Sequence, residues 1–102
     1  MADALNRLWI KFLPQMEARV ATLETAAAAL AARTLTSEFQ AQASAEAHKL
    51  AGVLGTFGLN DGTMFAREAE EAYKGPLEPG HNTTDRLIEI AARLRAMIQN
   101  RQ

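Results

Sequence analysis

Residues 37–59 read SEFQAQASAEAHKLAGVLGTFGL, and this stretch decides how the rest of the chain is understood. Ser37 followed by Gln40 fits a capping box, in which two side chains satisfy the free N–H groups of a helix start. Gly58 suits a helix stop, because glycine tolerates the left-handed conformation found there. A helix over about 37–56 follows. At about 100° per residue, Phe39, Ala43, Ala47, Leu50, Val53, Leu54 and Phe57 gather on one side, roughly opposite His48. They form the expected core stripe. Glu46 falls at its edge, where a long side chain can lay its stem on apolar surface and keep its charge in water.

Around His48 the same helix carries Ala41, Ser44, Ala45, Ala51, Gly52 and Gly55, all small. A helix face meant only for water ordinarily carries Glu, Lys, Gln and Arg. Each glycine in a helix interior costs about 1 kcal/mol relative to alanine. The bare backbone lets another surface approach the imidazole, so Ser44, Ala45, Ala51, Gly52 and Gly55 are read as a docking face around it.

Outward from this helix the apolar spacing stays helical. Leu5, Leu8, Trp9 and Phe12 mark a short leading helix over about 3–12, which Pro14 ends because a proline disfavours helix in the residue before it. A second helix restarts at Pro14 and runs to about Arg33 through Met16, Val20, Leu23, Ala27 and Leu30. After the 37–56 helix, a segment over about 61–74 carries Phe65, Ala69 and Ala72, with Asn60 or Thr63 as its cap. Residues 75–82, GPLEPGHN, read as a loop that leaves His81 solvated. Thr83 or Thr84 caps a last helix with Leu87, Ile90, Ala91, Leu94, Met97 and Ile98 in one stripe. The expectation is an all-α fold: an antiparallel four-helix bundle with a short extra N-terminal helix, one domain over residues 1–102.

Composition narrows the function classes. The absence of cysteine removes disulfides, thiolate zinc sites and thiol catalysis. Eleven basic against twelve acidic residues give a net charge of −1. The signs alternate along the chain, as in Arg67, Glu68, Glu70, Glu71 and Lys74, so a nucleic-acid partner is not expected. No second His, Asp or Glu stands three or four residues from His48, so no metal is expected. No apolar run reaches the roughly 20 residues of a membrane span. Asp3, Asn6 and Arg7 interrupt any secretory signal. A cytoplasmic monomer is the expectation.

The run AHKLAGVLGTFGL, residues 47–59, resembles the signature of histidine-containing phosphotransfer (HPt) domains: a histidine, Leu at +2, Gly at +4 and Gly at +10, here His48, Leu50, Gly52 and Gly58. It departs from the common pattern at +3 and +5, where Ala51 and Val53 replace Lys and Ser, and the lysine stands at +1 as Lys49. The resemblance implies a module of a two-component phosphorelay. His48 would take a phosphoryl group from the phospho-aspartate of a response-regulator receiver domain and pass it to another receiver. Lys49 would stabilise the phosphoryl charge. The chain itself would need no cofactor, because Mg²⁺ would come with the receiver; a hybrid histidine kinase is the further implied partner. The lack of a nucleotide-binding glycine loop agrees with a carrier that has no kinase activity of its own. Counting back from the turn near residue 59 places Glu70 and Glu71 level with His48, with Tyr73 and Lys74 a little further along. The count does not choose among them. Two other readings stay open: a noncatalytic interaction bundle, and a dimerisation module whose small-residue stripe packs helices together.

Overall fold

Short connections leave consecutive helices no choice but to run back alongside one another. The computed structural model describes residues 2–77 and 81–101, and within them the chain forms α1 (Ala2–Ala31), α2 (Ser37–Thr56), α3 (Asn60–Lys74) and α4 (His81–Asn100). Among the described residues there is no strand. Helix α1 packs on α2 and α4, and α3 packs on α2 and α4. The four helices thus stand at the corners of a square, each antiparallel to its neighbours. Met16, Val20, Leu23, Leu50, Leu54, Ile90, Leu94 and Ile98 fill the middle, fully buried. No helix among the described residues is long and apolar enough to cross a membrane.

The all-α bundle agrees with the sequence, but the separate leading helix does not exist. Helix α1 runs unbroken through Pro14. A proline inside a helix removes one hydrogen bond and costs roughly 3 kcal/mol. Here Ile10, whose carbonyl loses its donor, and Pro14 both lie on the exposed side of α1, so water can serve that carbonyl. Tertiary packing supplies the rest. Trp9 is buried edge-on against Phe57, with ring centroids 5.1 Å apart, and the Arg101 guanidinium lies 4.5 Å over the Trp9 ring. Phe12 and Leu13 pack on the same core. Each large apolar side chain buried in full contributes about 1.5–3 kcal/mol, so the group outweighs the local preference of Leu13 for extended backbone.

The helix ends also differ in detail. Thr36, one residue before the expected cap, starts α2: its Oγ1 accepts from the Phe39 N–H at 3.1 Å. Gln40 is freed from the expected capping box and reaches across to α3, where its Nε2 donates to the carbonyls of Tyr73 and Gly75, both at 2.9 Å. It thereby satisfies carbonyls at the end of another helix, which have no partner within their own. Helix α3 begins without a side-chain cap; Thr63 Oγ1 donates instead to the Ala51 carbonyl of α2 at 3.0 Å. His81 opens α4 rather than lying in a loop, which makes Thr83 and Thr84 helical residues and not caps. Of the expected 75–82 loop, residues 78–80 lie outside the described residues.

Helices α1 and α2 finish with the same hydrogen-bond pattern and different residues. At the end of α2, Gly58 takes φ 75°, with Leu59 N–H on the Leu54 carbonyl and Gly58 N–H on the Gly55 carbonyl, both at 3.0 Å. At the end of α1 the equivalent position is Arg33, at φ 59°. Left-handed backbone costs a non-glycine residue roughly 1–2 kcal/mol, against about 0.5–1 kcal/mol for the extra chain entropy of glycine. Arg33→Gly should therefore stabilise the bundle by about 0.5–1 kcal/mol, seen as a raised urea midpoint at unchanged slope; a lowered midpoint would mean that the Arg33 side chain holds the turn. Gly62 is the opposite case. It is buried in α3, and a Cβ there would stand 2.9 Å from Leu54 Cδ1, a side chain with no room to move. Gly62→Val should lose about 1–3 kcal/mol by overpacking in the same titration, whereas a neutral result would show that α2 and α3 can separate freely.

Candidate functional site

Helices α2 and α3 approach closely because their facing residues are small. Ala43, Ala47 and Ala51 on α2 and Gly62, Ala66 and Ala69 on α3 are all buried. Two hydroxyls staple the seam. Thr63 Oγ1 donates to the Ala51 carbonyl, as above, and Ser44 Oγ donates to the Glu70 carbonyl at 3.2 Å. This close fit carries the carboxylate of Glu70 up against His48.

His48 Nδ1 lies 2.9 Å from Glu70 Oε2. The two side chains differ sharply in exposure, 73% for the imidazole and 11% for the carboxylate. Lys74, one turn further along α3, places its Nζ 3.4 Å from the same Oε2. Burial pushes the Glu70 carboxyl upward, but the hydrogen bond and charge of His48 and those of Lys74 together overcome it and hold the group below its ordinary value. Glu70 is therefore an ionised acceptor at neutral pH. A carboxylate can only accept, so the Nδ1 of His48 must carry the proton and donate it. In the neutral ring the lone pair then belongs to Nε2, on an imidazole that is mostly in solvent. One buried acceptor fixes the tautomer of an exposed imidazole.

The arrangement corrects the helical-wheel picture. The buried residues of α2 are Ala43, Ser44, Ala47, Leu50, Ala51 and Leu54, an arc centred about 100° from His48 rather than opposite it by the same angular count. His48 stands at the margin of the α2–α3 seam. The expected docking face is accordingly split. Ser44 and Ala51 are buried at 9% and 4% exposure, because α3 covers that flank. They belong to the seam. Ala45 and Gly52 on the other side stay exposed, as does Gly55, which lies on the α3 side one turn beyond Ala51. A Cβ on Gly52 would meet nothing within 4 Å, while one on Gly55 would touch Thr63 Oγ1 at 3.4 Å.

Lys49 is exposed on α2, but the ammonium that reaches the His48–Glu70 pair belongs to Lys74. Spacing within α2 could not reveal it, because Lys74 acts from the other helix; the i, i+4 relation to Glu70 was the available signal. Glu46 is ion-paired with Arg19 of α1 rather than merely solvated. Tyr73, the fourth residue level with the site, is buried in the core, and burial raises its phenol to about 12. It does not touch the imidazole at its hydroxyl, which has no hydrogen-bond partner. Among the described residues no three His, Cys, Asp or Glu side chains cluster closely enough to hold a metal ion.

Comparison with known proteins agrees with this geometry. The family model of the Hpt domain matches residues 7–102. Protein RcaC of Microchaete diplosiphon is 38% identical over 79 residues, which make up 76% of this chain and 12% of that protein. The chain thus spans a small part of the relative's length. No solved structure matches the chain. Match and architecture together place it: four antiparallel helices, a histidine exposed on the second, and a family match over nearly the whole sequence mean that the chain belongs to the Hpt domain family, the histidine phosphotransfer modules of phosphorelays.

Proposed function

We propose that His48 is the phosphoryl acceptor and donor, and that it reacts through Nε2 with the phospho-aspartate of a receiver domain. The observation that carries this reading is the hydrogen bond from Nδ1–H to the buried Glu70 carboxylate, 2.9 Å long, which leaves the lone pair on the exposed nitrogen. In the forward step the Nε2 lone pair attacks phosphorus, the N–P bond forms, and the P–O bond to the aspartate breaks with its electron pair on the carboxylate. The Nδ1 proton stays in place throughout. The product ring is a phosphoimidazolium, whose positive charge faces Glu70. Reversal onto a second receiver returns the electron pair to Nε2 and restores the starting tautomer. No proton need enter or leave the ring, so the transfer is reversible with little rearrangement.

Phosphoryl transfer depends chiefly on positioning and charge stabilisation. This chain supplies the position. The receiver supplies the aspartate, the Mg²⁺ and most of the charge stabilisation around the transferred group. Its loops have to lie close along α2, and the open flank at Ala45 and Gly52, with the exposed Gly55 beside it, is the surface that admits them. With Lys74 beside Glu70, Lys49 is left as an exposed cation about 100° around the helix from His48.

His48→Gln should abolish labelling by a phosphorylated receiver domain. It should leave the thermal melt within a few degrees of wild type, because the imidazole is largely outside the core and an amide can still donate to Glu70. Labelling that survives would remove His48 as the acceptor. Gly52→Gln should separate docking from folding. The longer side chain has free space around it and favours helix by about 0.5–1 kcal/mol, so stability should hold or rise while transfer falls at least tenfold through weaker association. Unchanged transfer would place the receiver elsewhere on the bundle.

A further inference from the structure

The Glu70 oxygen that accepts from His48 is shared. Lys74 Nζ lies 3.4 Å from the same Oε2, and 3.8 Å from Glu71 Oε1. Imidazole and ammonium thus draw on one atom of one buried carboxylate. Lys74 and Glu71 are both exposed, and the end of α3 is already held by Gln40 on the carbonyls of Tyr73 and Gly75. The other charged groups nearby act less directly. Lys49 is exposed beside His48 on α2, and Arg67 is exposed on α3 one turn before Glu70. On the far flank of α2, Glu46 is bound to Arg19 of α1. Helix α4 does not pack on α2.

We propose that Lys74 is a positioning residue that limits how tightly Glu70 holds the Nδ1 proton of His48, and thereby sets the lifetime of phospho-His48; this rests on the reading of His48 as the acceptor. Phosphorylation at Nε2 leaves a ring with its Nδ1 proton, a cation. In that form the N–P bond is labile, because the leaving group is a neutral imidazole. When the Nδ1 proton is lost, the leaving group would be an imidazolate, and the bond persists. Glu70 favours the protonated, labile form. Lys74 opposes it twice, by engaging the shared oxygen and by repelling the ring cation. The loss reaction it restrains is hydrolysis: a water oxygen bonds to phosphorus, the N–P electron pair returns to Nε2, and the two water protons leave with the inorganic phosphate. A carrier that waits for a partner benefits from this brake.

The test uses the full chain with Lys74→Met and Lys74→Arg, phosphoramidate as a small phosphoryl donor, and two readouts. Nitrogen-15 NMR follows the titration of the His48 ring, and phosphorus-31 NMR follows the decay of phospho-His48 across pH. Lys74→Met should raise the ring's titration midpoint by about 0.5–1 unit, a change of roughly 3–10-fold in proton affinity. It should shorten the phospho-His48 half-life near pH 8 by a similar factor, and Lys74→Arg should behave as wild type. A Lys74→Met protein with unchanged midpoint and half-life would overturn the proposal, as would an arginine variant as labile as the methionine one. Should wild type take no phosphoryl group from phosphoramidate at His48, the acceptor reading fails, and with it the claim on lifetime. The ring titration would still decide whether Lys74 governs the Nδ1 proton.

Discussion

A carboxylate that has been drawn out of water must find donors, because an unpaired buried charge costs several kcal/mol. Glu70 is in this position. The small residues of the α2–α3 seam pull it inward, and Ser44 fastens its backbone. Its carboxylate meets His48 Nδ1 from one helix and Lys74 Nζ from its own. Both contacts follow from that one requirement. The position of the lone pair on the neutral ring is thus set by what lies beneath it, since Nε2 is simply the atom that Glu70 leaves free.

The same seam makes the surface around His48 asymmetric. Towards α3, Ser44 and Ala51 are covered and serve the packing; away from it, Ala45 and Gly52 are open. The run of small residues on this helix is therefore divided by one imidazole, with close packing on one side and open surface on the other. Gly62 and Gly52 show the contrast in single residues. The first faces Leu54 with no space for a methyl group, and the second faces nothing. The open side leaves His48 accessible, while the covered side holds the ring in register.

Much of this was legible in the sequence because helical spacing and the residues that stop helices are local signals. The span of α2 and the buried stripe of Leu87, Ile90, Ala91, Leu94 and Ile98 on α4 could be read directly. His48 stood out through its company. What local reading missed was decided between helices. Pro14 ends a helix in isolation, yet Trp9 packed on Phe57 carries α1 through it. Ser44 and Ala51 lie only about 40–60° from His48 by angular count, and no pattern within α2 says which flank α3 will cover. Counting from the turn brought Glu70 level with His48 but could not separate it from Glu71, since inward or outward direction depends on how α3 is rotated. Lys49 was the nearer cation in sequence; Lys74 is the nearer one to Glu70.

Glu70 fixes the imidazole of His48 in one tautomer, with the proton on Nδ1 and the lone pair on Nε2. Long-range nitrogen-15 to proton correlation NMR of the wild-type protein, recorded above the pH at which the ring titrates, reads this directly. The expected result is a pyrrole-like shift at Nδ1 and a pyridine-like shift at Nε2, with phosphorylation moving the Nε2 resonance to the substituted range. A proton found on Nε2, or an even mixture of the two tautomers as in a free imidazole, would contradict it.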